Sequence, residues 1–532
     1  MLYTDQIFTR ILSDRKQVQE LETKVFVRES TGLVKNVSFL HSITLNFSNM
    51  SIGPLLGSLG FIMVLLPTVA GINLVMASVV GLLLSIPQIV IYTTMITRYP
   101  RTGGDYVWVS RTFGGFLGNV LAFTGYTLET TAFMALVVLG TVSAIGVVGN
   151  IPSIAAPPDV PGTSPIMIFV TGALLFSALI AVNIFKPKWG YRVVTVLALF
   201  GVAALAIAIL TLLGAGHQSV VQYINGLNAK DILGNGNPIT YTSLVNSYTG
   251  AAFSFAATLL IMPAIFGFVY PWINAGAAVA SEIKGKRTLK WNVPVSVVIV
   301  FITLTSALAT WYYVAGQDLV NAALSNPTLV YIFSFNFWTL AMGVSGNQFI
   351  STIIGLGWIA LNVATVAYAV IVISRYLLAQ SFDRFLPAKI SYVSPRFGSP
   401  IVAHLVDLII TVGLIGIAVL FYTGYTSLYG AIIASMIYFA FVGLAAAVHA
   451  VRKENGKSKL LLVIAGIANI IVYSYITYLY LAYPDVWEIN SLTYTFVILS
   501  AVVSILIYAL SKYYHRRKGI DISLAYKELP PE

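Results

Sequence analysis

The stretch from Ile232 to Ser281 carries no charged side chain, which is the composition of a segment that crosses a lipid bilayer. Its middle does not suit a plain helix. Met262-Pro263-Ala264-Ile265-Phe266-Gly267-Phe268-Val269-Tyr270-Pro271-Trp272-Ile273-Asn274 holds two prolines and a glycine. Each proline removes a backbone donor and crowds the preceding turn, so an unbroken helix is not expected there. In hydrocarbon the freed carbonyls need partners, and irregular backbone at that depth is buried in protein or lines a cavity. A span broken near the midplane is where secondary transporters bind their substrates. The plainer alternative is a proline-kinked helix with no ligand.

The rest of the chain places this segment in an all-α polytopic membrane protein. Of 532 residues, 58% are hydrophobic and 9% charged, with a mean hydropathy of +0.86; soluble globular chains do not have this balance. Apolar runs predict twelve spans, at 39–66, 73–97, 116–148, 166–185, 191–213, 247–281, 293–315, 347–380, 401–422, 425–451, 460–482 and 491–512. With the N-terminus in the cytoplasm, 29 of the 30 Lys and Arg fall on that side and Lys230 alone lies outside, as the positive-inside rule requires. Making the semi-apolar segment 329–344 a thirteenth span would move the last basic residues outside, so it is read as outer loop. Basic inner loops thus account for the net charge of +11, and nucleic-acid binding has no support. Residues 1–38 are polar and mixed in charge, which predicts a cytoplasmic tail and no cleavable signal peptide. The absence of cysteine excludes disulfides, thiol nucleophiles and cysteine-ligated metal.

The first span is interrupted like the sixth. Asn46-Phe47-Ser48-Asn49-Met50-Ser51-Ile52-Gly53-Pro54 predicts an unwound bend, with Pro54 in the first turn of an outer half-helix; a polar face packed on neighbours is the alternative. Two interrupted spans, each opening a block of five, suggest a 5+5 inverted repeat with two extra C-terminal helices. The expected division is a tail (1–38), a first repeat (39–213), an outer loop (214–246), a second repeat (247–451), the last two spans (452–512) and a cytoplasmic C-terminal tail (513–532).

After the second span, Pro100-Arg101-Thr102-Gly103-Gly104-Asp105-Tyr106, then Phe113-Gly114, resembles the P-x-x-G-G-x-Y…F-G signature of the amino acid–polyamine–organocation (APC) permeases, which share the LeuT-type fold. Two later stretches are similar to the same family. One is Ser281-Glu282-Ile283-Lys284-Gly285-Lys286-Arg287. The other is Ser374-Arg375-Tyr376-Leu377, Asp383 to Pro387 and Phe397-Gly398-Ser399-Pro400. The three occur in order, each in an inner loop. The chain departs from the family pattern at Thr94, where a Glu is usual, at Ser51-Ile52-Gly53-Pro54 in place of G-x-G, and at Asn274, where a carboxylate is frequent. Ala198 stands where some members carry a lysine in the fifth span.

What the resemblance implies is a permease that carries an amino acid or related small organocation through the cell membrane by alternating access. The amides at Ser51, Ile52 and Gly53 are expected to meet a carboxylate, and the carbonyls of Phe266, Gly267 and Phe268 an amine. Tyr270, Trp272 and Phe268 would form the lid and side-chain pocket, beside Asn274, or are plain packing in a chain that is 13% aromatic. Gly53→Leu is expected to fold normally and bind substrate at least about tenfold more weakly. No cofactor or resident metal is expected beyond a coupling ion, H+ or Na+. Glu129, in the middle of the third span, is a proton or cation site or a neutral acid bonded to a neighbouring helix. Asn362 and Thr365, in the eighth span, suit a sodium site at the first-span break or plain interhelical bonding. His404 and Asp407 lie on one face of the ninth span and are read as a structural pair. Phe335, Phe337 and Trp338 are read as an interfacial element of the outer loop. The expected partners are the bilayer and a small-molecule substrate, with oligomeric state open. A channel, a sensor or an intramembrane enzyme built on Glu129, His404 and Asp407 are the rival readings.

Overall fold

The computed structural model describes residues 33, 35–248, 251, 253–421 and 425–529. The expected N-terminal tail therefore lies outside the described residues except for 33 and 35–38, as does the end of the C-terminal tail from residue 530. The chain is 78% helical, with no strand among the described residues. Among the described residues, ten helices are long and apolar enough to cross a membrane, and two more spans are broken into pieces too short to do so alone. The first consists of Phe39–Asn49 and Ile52–Met63, and the sixth of Phe255–Leu260, Met262–Val269 and Ala275–Ala278. The twelve expected spans are thus ten continuous helices and two interrupted ones.

Small residues set the closest helix contacts, as expected where lipid gives no hydrophobic drive between helices. The fifth span, Pro187–Gly226, packs along the eighth, Gln348–Phe382. A Cβ on Gly357 would collide with Ala204, and one on Gly201 with Leu361. The tenth and eleventh, Leu428–Lys453 and Gly456–Ala482, meet through Gly443 and Gly466, where an added Cβ on Gly466 would stand 2.6 Å from the Gly443 carbonyl oxygen. The eighth span is central, 83% of its most apolar window being buried, against 22% for the twelfth, Ser491–Arg517. The third, Gly115–Val148, contains a π-helical turn at Phe123–Leu128, of the kind found at functional sites.

Several local expectations change. The fifth span runs past residue 213 into the expected outer loop and bends at Gly216 (φ 72°, ψ 178°), a conformation only glycine adopts freely. Regular helix in the sixth span starts at Phe255 rather than at residue 247. Pro263 sits in the first turn of Met262–Val269, where its missing N–H costs nothing. The unwound segment is Tyr270 to Asn274. In the first span, Asn46, Ser48 and Asn49 are helical. The break is confined to Met50 and Ser51, the latter left-handed at φ 46°. Phe335, Phe337 and Trp338 are at most 2% exposed. They pack on Trp311 and one another, so they are interior and not interfacial. Amphipathic aromatic rings suit either setting, and sequence alone did not separate the two.

Candidate functional site

The two breaks are held together by asparagines. Asn49, at the end of the inner half of the first span, donates from Nδ2 to Asn274 Oδ1 at 3.1 Å. Asn46 accepts from the Gly276 amide at 2.8 Å and bonds Asn292 of the seventh span, Lys286–Ala315. Asn274 also donates to Tyr376 Oη at 3.1 Å and toward Asp105 Oδ2 at 3.4 Å. Asp105 is the convergence point. Its fully buried carboxyl accepts from Tyr92 of the second span, Leu74–Arg98, from Tyr376 of the eighth, and from Tyr438 of the tenth at 3.0 Å. Burial pushes this carboxyl up, against the downward pull of the tyrosine and asparagine hydrogen bonds.

The helix Asp105–Phe113 reaches this depth through the two glycines before it. Gly103 (φ 85°) and Gly104 (φ 47°) turn the chain so tightly that an added Cβ would stand 2.5 Å from Ala379 or 2.6 Å from the Ala277 backbone. Below the asparagines, charges from the three motif stretches clasp one another. Arg375 Nε donates to Glu282 at 2.8 Å, which also accepts from Tyr191 at 3.1 Å. Arg111 pairs with Asp383 (Nη2 to Oδ1, 2.7 Å), joined by Tyr106 Oη at 2.7 Å. Tyr526 folds back beneath the bundle, accepts from Asn119 at 2.7 Å and lies 5.5 Å from the Arg111 guanidinium. These bonds and ion pairs seal the space around Asp105, and a separate cavity of about 980 Å³, partly open to solvent, lies at this basic end between Tyr99, Trp108, Arg111, His449, Arg452 and Tyr526.

The opposite end is hollow. A cavity of about 740 Å³, part of it open to solvent, is bounded by the outer half of the first span (Pro54, Gly57, Ser58, Phe61), the third span (Leu136, Val137, Gly140), Phe268, the segment Val330 to Asn336, Trp358, Asn362 and Tyr429. Of the substrate and ion candidates expected from sequence, Phe268 and Asn362 line it, and so do Pro54 of the first-span bend and Phe335 of the outer loop. Ser51, Ile52, Gly53, Phe266, Gly267, Tyr270, Trp272 and Asn274 are buried around the breaks outside it. The Phe266 carbonyl accepts from the Tyr270 amide at 2.9 Å, and the Gly267 carbonyl takes the Trp272 indole N–H at 2.9 Å. Trp272 stacks on Phe133 at 5.1 Å, and Tyr270 Oη bonds Ser78 at 2.9 Å. Gly53 is a packing glycine, since an added Cβ would overlap Leu361 and stand 3.2 Å from Asn362 Oδ1. The expectation that Gly53→Leu folds normally is therefore withdrawn.

The remaining polar candidates divide. Thr365 does meet the first-span break, donating to the Ser48 or Leu361 carbonyl, each 3.0 Å away. In the fifth span Thr195, three residues before Ala198, bonds His41 and Thr44 of the first span, each at 2.8 Å. Glu129 is fully buried against Ser435, whose Oγ lies 2.5 Å from Glu129 Oε2 and 2.6 Å from the Gly125 carbonyl; Oε1 has no partner. His404 and Asp407 are not paired. Asp407 accepts from Thr411 at 3.0 Å and the His404 nitrogens have no partner. No group of three metal-ligating residues occurs among the described residues. Sequence reasoning quoted Asp105 but gave it no role, because a loop aspartate looks solvated until three tyrosines from separate helices are placed around it.

Among the described residues, ten continuous spans, two broken spans joined by asparagines and a cavity beside the breaks are the architecture of a membrane transporter. Residues 38–508 match the Amino acid permease family, and the chain belongs to that family of transporters. It is also 26% identical over 113 residues to "Uncharacterized protein 399" of Sulfolobus islandicus rod-shaped virus 1, a match spanning 21% of this chain and 27% of that protein.

Proposed function

We propose that this protein carries an amino acid across the cell membrane by alternating access, with both termini and the basic loops in the cytoplasm. The observation that carries the reading is the asymmetry around the breaks. The cavity ends where Pro54, Phe268 and Asn362 meet, directly beside broken backbone whose far side is sealed by Asn49, Asn274 and Asp105. The two five-span blocks act as an inverted repeat, and rocking between them would transfer a solute from cavity to basic face.

Coupling is assigned to a proton on Glu129. Ser435 has one hydroxyl proton and two close oxygen neighbours, Glu129 Oε2 and the Gly125 carbonyl. Both contacts are hydrogen bonds only when Glu129 supplies the second proton. Losing that proton would leave Ser435 with one of its two hydrogen bonds to the third span at the π-helical turn. Thr365 is the competing candidate: its hydroxyl proton bonds the first-span backbone, and its oxygen keeps lone pairs that a sodium ion could take. The test is uptake of labelled amino acids into proteoliposomes with imposed pH or sodium gradients. Uptake driven by a pH gradient and made indifferent to it by Glu129→Gln is expected. Saturable uptake driven by sodium and abolished by Thr365→Ala would move the coupling site, and no uptake of any amino acid would remove the carrier reading.

A further inference from the structure

We infer that Trp358 and Asn362 form the polar subsite of the cavity and that its substrate is an amino acid with an uncharged, apolar side chain. This rests on the carrier reading above. Among the described residues, no Asp, Glu, Lys, Arg or His lines the cavity. A charged side chain entering it would lose hydration with no counter-charge to replace it, whereas Phe61, Phe268 and Tyr429 offer an apolar side chain ordinary packing.

The lining polar side chains are almost all spent. Ser58 donates to the Pro54 carbonyl at 2.8 Å, Ser143 to the Ala155 carbonyl at 2.7 Å, and Tyr429 to the Pro263 carbonyl at 3.1 Å. Ser334 donates to the Ala155 carbonyl at 3.4 Å, and Asn336 caps the helix Phe337–Gly343. Two buried atoms are left without partners, Trp358 Nε1 and Asn362 Oδ1, on residues 4% and 1% exposed. In a membrane interior such groups are costly. The first can only donate and the second can only accept.

Their placement matches one ligand. Four residues apart, they lie one turn apart on the same face of the eighth span, about 6 Å along its axis. Opposite them, on the outer half of the first span, stand two glycines with the same spacing. They press directly on the pair, a Cβ on Gly57 standing only 2.6 Å from Trp358 Nε1 and one on Gly53 3.2 Å from Asn362 Oδ1, so a ligand reaches both atoms only when the first and eighth spans separate there. An indole N–H suits a carboxylate and an amide oxygen suits an ammonium, so the pair reads the two ends of a zwitterion while the apolar wall takes its side chain.

The test is ligand-dependent thermal unfolding of the purified full-length protein, which yields affinity from the rise of Tm with concentration. The probes are leucine, lysine, glutamate, 3-methylbutylamine (leucine without its carboxylate) and 4-methylpentanoic acid (leucine without its amine). Wild type is expected to bind leucine at least tenfold more tightly than lysine or glutamate. Trp358→Phe keeps the ring and removes the donor; it should weaken leucine about tenfold and leave the amine unchanged. Asn362→Leu should weaken leucine and the amine but not the acid. Each variant must first show wild-type Tm without ligand; for one that does not, Trp358→Leu or Asn362→Met replaces it with the same expectation. Lysine or glutamate binding as well as leucine, or leucine affinity unmoved in both variants, overturns the subsite while leaving a carrier. Wild type that binds none of the amino acids overturns the carrier reading and the subsite with it.

Discussion

The two ends of this molecule use polar groups in different ways. At the basic end, three buried carboxyls are matched to neighbours, although Trp108 Nε1 and Asn119 Oδ1 there have no partner: Asp105 with three tyrosines and Asn274, Glu282 with Arg375 and Tyr191, Asp383 with Arg111 and Tyr106. At the hollow end, Trp358 Nε1 and Asn362 Oδ1 are left without partners beside a cavity. A satisfied network can hold a unique arrangement, and an unsatisfied pair awaits a ligand. Buried ion pairs often add little net stability over an apolar core. What they specify here is which helices touch, since each joins segments more than 90 residues apart in sequence.

That contrast can be broken in graded steps. The largest effect is expected from Asp105→Ala, which strands three tyrosine hydroxyls and Asn274 in the interior. Hydrogen bonds to a buried charged or polar acceptor are worth about 1.5–3 kcal/mol each, so a loss on the order of 3 kcal/mol or more and a clear fall in Tm should follow. Next comes Gly53→Leu, in which the new side chain meets Leu361; overpacking of this kind costs about 1–3 kcal/mol. It should show as reduced folded yield on size exclusion before any change in affinity. Tyr526→Phe removes only the hydroxyl that accepts from Asn119 and donates to the Asp383 carbonyl at 3.3 Å, for about 1 kcal/mol. The smallest effect belongs to Arg98→Ala. Its partner Glu454 is also at the basic end, but the two side chains are 30% and 16% exposed, and such pairs are worth about 1 kcal/mol or less. If Arg98→Ala lowered Tm as much as Asp105→Ala, charge rather than burial would be closing that end.

The architecture was legible because bilayer physics leaves few choices. Apolar length, basic loops and Pro or Gly inside the first and sixth spans pointed to the twelve spans and to which two are broken. Position within the breaks was less legible. Pro263 reads as a disruption, yet it starts a helix, and the unwound residues are Tyr270 to Asn274. Asn46 and Asn49 read as a bend, yet they are helical and bind the other broken span. Their side chains, not their backbone, explain the polar run. The cavity pair was present as a Trp and an Asn four residues apart. Such a pattern is ordinary in a chain that is 13% aromatic. It gains meaning only when the partners of every neighbouring polar atom are known.

The chain contains no cysteine, so a single introduced thiol reports access without background. Ser58 lines the cavity. Thr127, 1% exposed, lies in the third span's inner part and bonds Gln380 at 3.3 Å. With the protein in sealed vesicles and no substrate present, a membrane-impermeant maleimide should label Ser58→Cys from the side opposite the basic loops. It should leave Thr127→Cys untouched from the basic side. Labelling of Thr127→Cys from the basic side with Ser58→Cys protected would contradict the account, placing the open path to the breaks where the structure shows it sealed.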